Sequence, residues 1–172
     1  SIAFTETSSQ VFHIGPASVG VPGTPAGLEE AARSYGTVSL ADLAAPAAAL
    51  ARDGIVLNAG QAYFIAILAP ILIHFAECAE IYAPGGRLLR EGDVWRFPEL
   101  GDAIERLGAD GAAPFYTGDI GTAIADAICE RGGMITREDL AAYAVVPREP
   151  LHVSHAGRDV LTNPPPNAGG PL

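Results

Sequence analysis

Few side chains in this 172-residue sequence stand at spacings that could run a reaction by themselves. Carboxylates pair as Glu29-Glu30 and Glu138-Asp139, but each pair is adjacent within a helical pattern. Adjacent helix residues do not face each other, so neither pair can act as a matched acid and base. Charge at the start of a helix explains them better. His152 and His155 lie three apart in a segment of strand character, which sends them to opposite faces and spoils them as a metal pair. His13 and His74 stand alone. Ser8, Ser9, Ser18 and Ser154 lack the Gly-x-Ser-x-Gly context of an exposed serine nucleophile. The Gly15 to Gly27 passage is not followed by the Gly-Lys-Ser/Thr of a phosphate loop. Cys78 and Cys129, the only cysteines, have no CxxC or zinc spacing and read as two buried free thiols more readily than as a disulfide. No metal and no cofactor is expected.

The charge balance narrows the partners. Net charge is −10, and all ten basic residues are arginine. Nucleic-acid binding needs basic patches to neutralise phosphates, so that class is excluded as an expectation. About half the residues, 49%, are apolar, which rules out a disordered chain and is enough for one domain. The stretch Tyr63 to Phe75 (YFIAILAPILIHF) is the most apolar, but it is short and broken by Pro70, so no membrane span is expected. It reads as a buried helix pair, with a membrane-associated or partner-binding segment as the alternative. The chain stops just after a proline-rich turn without a closing element, and both ends read as cut. The absence of a signal peptide therefore leaves the compartment open.

These residues must be held by a mainly helical frame. A short strand is expected at Ile2–Phe4. Thr24 with Pro25 at the first helical position opens a helix ending at Gly36. Ser39 with Asp42 three residues on starts a second, running to Gly54, which Pro46 should kink or restart. Ala83 to Arg96 holds a Pro-Gly-Gly turn between extended pieces. Leu100, Ile104 and Leu107 mark a helical face over Pro98 to Gly108, and Ile120, Ile124 and Ile128 mark another over Gly118 to Arg131. Thr136 to Asp139 caps a short helix reaching Tyr143. Leu151 to Thr162 then changes to strand character around Gly157, a hairpin pattern. Helices followed by paired strands predict an α+β fold.

Three punctuated blocks in fixed order cut across these elements. They are Val21-Pro22-Gly23-Thr24-Pro25-Ala26-Gly27, the run from Pro114 to Tyr143 (PFYTGDIGTAIADAICERGGMITREDLAAY), and Asn163-Pro164-Pro165-Pro166-Asn167-Ala168-Gly169-Gly170. In order and spacing they resemble the large subunit of gamma-glutamyltransferases, from about Val21 to Gly170, with the weakest match between Gly60 and Arg96. The resemblance implies an N-terminal-nucleophile hydrolase fold, a four-layer αββα sandwich. Residues 1–172 would be part of a single large-subunit domain, with the small subunit of the same precursor as partner. It also implies an autoprocessed zymogen, no cofactor, a small-molecule gamma-glutamyl or related amide substrate, and a periplasmic or extracellular setting. The catalytic threonine would begin the small subunit, beyond this chain, so no catalytic residue is expected here.

Residue by residue, the resemblance places Phe4 and Glu6 on the family's Phe-Arg-Glu motif, which puts Thr5 where the family has the arginine that pairs with the substrate carboxylate. A hydroxyl there cannot supply a fixed cation or a bidentate fork. The Asn163 to Gly170 block corresponds to a family Pro-Pro-Pro-Ser-Ser-Gly-Gly passage near the catalytic centre. Pro164, Pro165, Pro166, Asn167, Gly169 and Gly170 are therefore expected to support the active site from behind, or to form a rigid turn. Three readings follow: a gamma-glutamyltransferase, a same-fold amide acylase with other acyl specificity, and a non-catalytic scaffold.

Overall fold

The computed structural model describes residues 2–3 and 6–167. A minimal antiparallel pair, β1 (Ile2–Ala3) and β2 (Ser9–Gln10), opens the chain. The strand expected at its start is seen at Ile2 and Ala3, and Phe4 lies outside the described residues. Then come α1 (Thr24–Tyr35) and α2 (Leu40–Asp53), and β3 (Ile55–Val56) leads into α3 (Ala59–Leu72) and α4 (Ala76–Tyr82). A single turn at Pro84–Gly86 precedes β4 (Val94–Trp95), which returns to pair with β3. The helices α5 (Pro98–Asp110), α6 (Ala113–Tyr116), α7 (Asp119–Glu130) and α8 (Arg137–Ala141) follow, and the hairpin β5 (Leu151–His155)/β6 (Arg158–Thr162) closes the set.

Local side chains set most of these boundaries. Ser39 accepts the Asp42 amide at 3.1 Å, the expected cap of α2. Thr136 and Asp139 form a reciprocal capping box on α8, and Asn58 and Gln61 do the same on α3. At α1 the cap residue is Gly23 and not Thr24, with no side-chain cap bond. The hairpin turns through Ala156 and Gly157, both at positive φ (50° and 73°), the geometry a two-residue turn needs to follow strand twist.

Pro46 does not restart α2, which runs unbroken through it. Proline removes one amide donor to the carbonyl four residues back, and tight packing against α5 offsets that loss. A Cβ built on Gly101 would lie 2.7 Å from Arg52 Cγ and 2.9 Å from the Ala48 carbonyl. One built on Gly108 would lie 2.8 Å from Ala44 Cβ and 3.1 Å from Ala41 Cα. Ala44 and Ala48 are both buried there. Small residues on both helices let the backbones touch, so added volume must push them apart. Gly108→Val is expected to cost about 1–3 kcal/mol of stability by overpacking. Urea unfolding measures it, and a cost below the error of the measurement would mean that the helices are not in contact there.

The remaining core is divided. Leu57, Ile65 and Leu89 form one buried cluster beneath Leu72, Tyr82, Leu88 and Trp95, joining α3 and α4 to the β3/β4 pair. The second gathers Ala125, Ile135 and Leu140 under Val21, Ile124 and Ile128. The apolar stretch Tyr63 to Phe75 does not form a buried helix pair. It is the last three turns of α3 and the link to α4, with only Ile65 of α3 buried and Tyr63, Phe64 and Ile73 exposed. A helix apolar on all sides packs only partly against what this chain offers. Among the described residues, no helix is long and apolar enough to cross a membrane. Both cysteines are free, but neither is buried: Cys78 is half-buried and Cys129 exposed. Cys129 sits at the open end of α7, where the Ile120–Ile124–Ile128 face has turned away from it.

Candidate functional site

The first two sequence blocks meet in space. Tyr116, at the end of α6, donates its hydroxyl proton to the Pro22 carbonyl at 2.7 Å and accepts the Ala26 amide at 3.2 Å. That amide is one of the unpaired donors at the start of α1, so a tyrosine from ninety residues away does the work of the missing N-cap. Tyr143, just past α8, stacks on Tyr116 with ring centroids 5.3 Å apart and planes 5° from parallel. A Cβ on Gly23 would collide with the Tyr143 hydroxyl, which is why glycine stands at the turn. Beneath them Leu140 is fully buried against Ala125, Ile135 and Val21.

Burial raises the Tyr116 phenol above its ordinary pKa, against the lowering effect of the Ala26 hydrogen bond. It therefore stays protonated, as its donation to Pro22 requires. Tyr116→Phe leaves one amide without its acceptor and one carbonyl without its donor, at an expected cost of about 1–3 kcal/mol. Equilibrium denaturation would measure this; a phenylalanine variant as stable as the wild type would contradict the cap.

Most charged groups have structural partners. Arg33 pairs with Glu30, Arg52 with Asp102 and Glu105, Arg87 with Asp93, Arg106 with Asp110 and Asp119, Arg131 with Glu77, and Arg137 with Asp126. One member of each adjacent carboxylate pair is thus engaged, Glu30 by Arg33 and Asp139 by its cap. Among the described residues, no group of three or more His, Cys, Asp or Glu could hold a metal ion. His152 faces Asp159 at 3.4 Å across the hairpin, without His155.

Several carboxylates sit below their ordinary pKa. Arg33 lowers Glu30, Arg87 lowers Asp93, Arg106 lowers Asp119, and the Thr136 amide lowers Asp139. A carboxylate with a lowered folded-state pKa adds stability above its unfolded value and loses it as pH falls through the folded value. The melting temperature should therefore hold near neutral pH and decline as pH drops below about 4. Exposed pairs are individually weak, so a gradual decline is expected. A melting temperature that stayed level to pH 2 would contradict it.

The third block follows β6 at the open end of the hairpin. Of its described part, Asn163, Pro164, Pro166 and Asn167 line a shallow hollow of about 540 Å³ with Val146, Arg148 and Pro150 from the segment leading into β5. The Asn167 amide closes a turn onto the Pro164 carbonyl at 3.3 Å, and Arg148 Nη1 donates to the Pro165 carbonyl at 3.1 Å. Thr5, Gly169 and Gly170 lie outside the described residues. Glu6 is exposed between β1 and β2, and no hydrogen bond or ion pair joins it to Asn163–Asn167 among the described residues. Sequence reasoning missed Tyr116, Tyr143 and Arg148. The tyrosines stood inside a quoted block, but only folding brings them onto the first one.

The chain is similar to known proteins over most of its length. The family model described as Gamma-glutamyltranspeptidase matches residues 3–172. The glutathione hydrolase proenzyme of Escherichia coli is 36% identical over 152 residues, 88% of this chain and 26% of that protein. The Acylase ACY 1 proenzyme of Pseudomonas sp. (strain SE83) is 32% identical over 157 residues, 91% of this chain and 28% of that protein. The crystal structure of Helicobacter pylori gamma-glutamyltranspeptidase aligns with a TM-score of 0.82 and 32% identity, covering 91% of this chain and 45% of that one. The chain spans about a quarter of the length of the curated relatives it matches.

Proposed function

Because the chain belongs to the gamma-glutamyltranspeptidase family, we propose that it is a large-subunit segment, part of one domain, of an autoprocessed enzyme acting on gamma-glutamyl amides. The observation that carries this reading is the fold: the three blocks stand on a frame that matches a solved family member over 91% of the chain. Relatives named as proenzymes support a precursor that is cut to become active. The nucleophile is a threonine outside this chain, freed at the start of the small subunit.

The chemistry then runs on that threonine. Its α-amine takes the hydroxyl proton as the oxygen attacks the gamma-glutamyl carbonyl. Backbone amides outside this chain hold the oxyanion. The proton passes to the departing amine and an acyl-enzyme ester remains. Water or the amine of an amino acid or peptide then attacks the ester and releases the threonine. By the family resemblance, this chain contributes Thr5 and Glu6 to recognition of the substrate carboxylate, and Pro164, Pro165, Pro166, Asn167, Gly169 and Gly170 to support of the active site.

A second reading has its own support. Thr5 stands where the family arginine would pair with the substrate carboxylate, and an acylase is among the relatives. An acylase taking acyl groups other than gamma-glutamyl fits that substitution. Initial rates of the purified full-length protein on a gamma-glutamyl anilide and on a glutaryl amide separate the two. Faster cleavage of the first supports the transferase, faster cleavage of the second the acylase, and cleavage of neither the scaffold.

A further inference from the structure

We propose that Arg148 is a positioning residue that clamps the triple-proline segment and so sets the geometry of the wall it forms. The inference rests on the reading of that segment as part of the active site. Pro164, Pro165 and Pro166 have no amide proton, so three consecutive residues offer only acceptors. The antiparallel ladder ends at the Leu151–Thr162 pair, and among the described residues strand pairing holds nothing beyond it. The Asn167 amide closes onto the Pro164 carbonyl from within the segment, and the Pro165 carbonyl takes its donor from elsewhere in the chain. Arginine is the complementary side chain, with five donors and no acceptor.

Arg148 meets that need from the opposite arm of the hairpin, donating to the Pro165 carbonyl across seventeen residues. Pro147 and Pro150 flank it closely and restrict the backbone it stands on. Unlike six of the other arginines, it has no carboxylate partner among the described residues. Its side chain is exposed, so its removal should spare the fold.

The test uses the full-length protein with Arg148→Met and Arg148→Lys. Hydrogen exchange of the Asn167 amide, which is bonded to the Pro164 carbonyl, reads the clamp without requiring activity. Arg148→Met is expected to speed that exchange about tenfold with an unchanged melting temperature, and Arg148→Lys to restore part of the protection. On the amide that the wild type cleaves, kcat should fall about tenfold in Arg148→Met while KM changes less than about twofold. Unchanged exchange would overturn the clamp, and faster exchange with unchanged kcat would overturn its role in the reaction. A wild type that cleaves no amide would sink the functional reading instead, and with it the role in the reaction, while exchange still decides the clamp.

Discussion

Leu140→Ala is expected to lower the unfolding free energy of the full-length protein by about 2–5 kcal/mol. Leu140 is 0% exposed, and it is the central side chain of the cluster that joins the first two sequence blocks. Alanine there removes transfer free energy and leaves a cavity walled by Ala125, Ile135 and Val21. Ala125 is too small to fill it, and Ile135 comes from the turn before α8, where the capping box limits movement. Incomplete collapse places the cost toward the upper part of that range. The loss should also loosen the Tyr116–Tyr143 stack, because α8 carries Leu140 and leads straight into Tyr143. Chemical denaturation gives the number, and a loss under about 1 kcal/mol would mean that the blocks do not meet as described.

Thr5→Arg should have the largest effect on activity. A charge-assisted hydrogen bond to a carboxylate contributes about 1.5–3 kcal/mol, roughly tenfold or more in recognition. If Thr5 occupies the position of the family arginine, restoring a guanidinium raises kcat/KM on a gamma-glutamyl anilide by about that factor. It should leave unchanged, or lower, the rate on an amide whose acyl group has no α-carboxylate. Steady-state rates on both substrates decide it. No change on either would mean that Thr5 does not face the substrate carboxylate and that another group recognises it.

What was legible in the sequence was local. Ser39, Thr136 and Asp139 announce their helices because a cap bond spans only three residues, and both caps form as read. The hairpin was legible from strand character on either side of Gly157. Pro46 does not restart its helix, because its cost is local, whereas the packing that offsets it comes from Gly101 and Gly108, more than fifty residues away. The apolar α3 misled for a related reason: hydropathy says that a face wants cover, not whether this stretch of chain supplies it. The candidate site was legible as motifs but not as geometry. Nothing in the spacing of Tyr116, Tyr143 or Arg148 says that they would reach Pro22, Gly23 or Pro165. The Tyr143 contact explains why glycine stands at position 23 of the first block.

The most direct measurement is on the purified product of the full reading frame, by denaturing gel and N-terminal mass spectrometry. Two fragments, with the smaller beginning at threonine, are expected of an autoprocessed enzyme of this family. A single uncut chain would contradict that and leave the non-catalytic scaffold in its place.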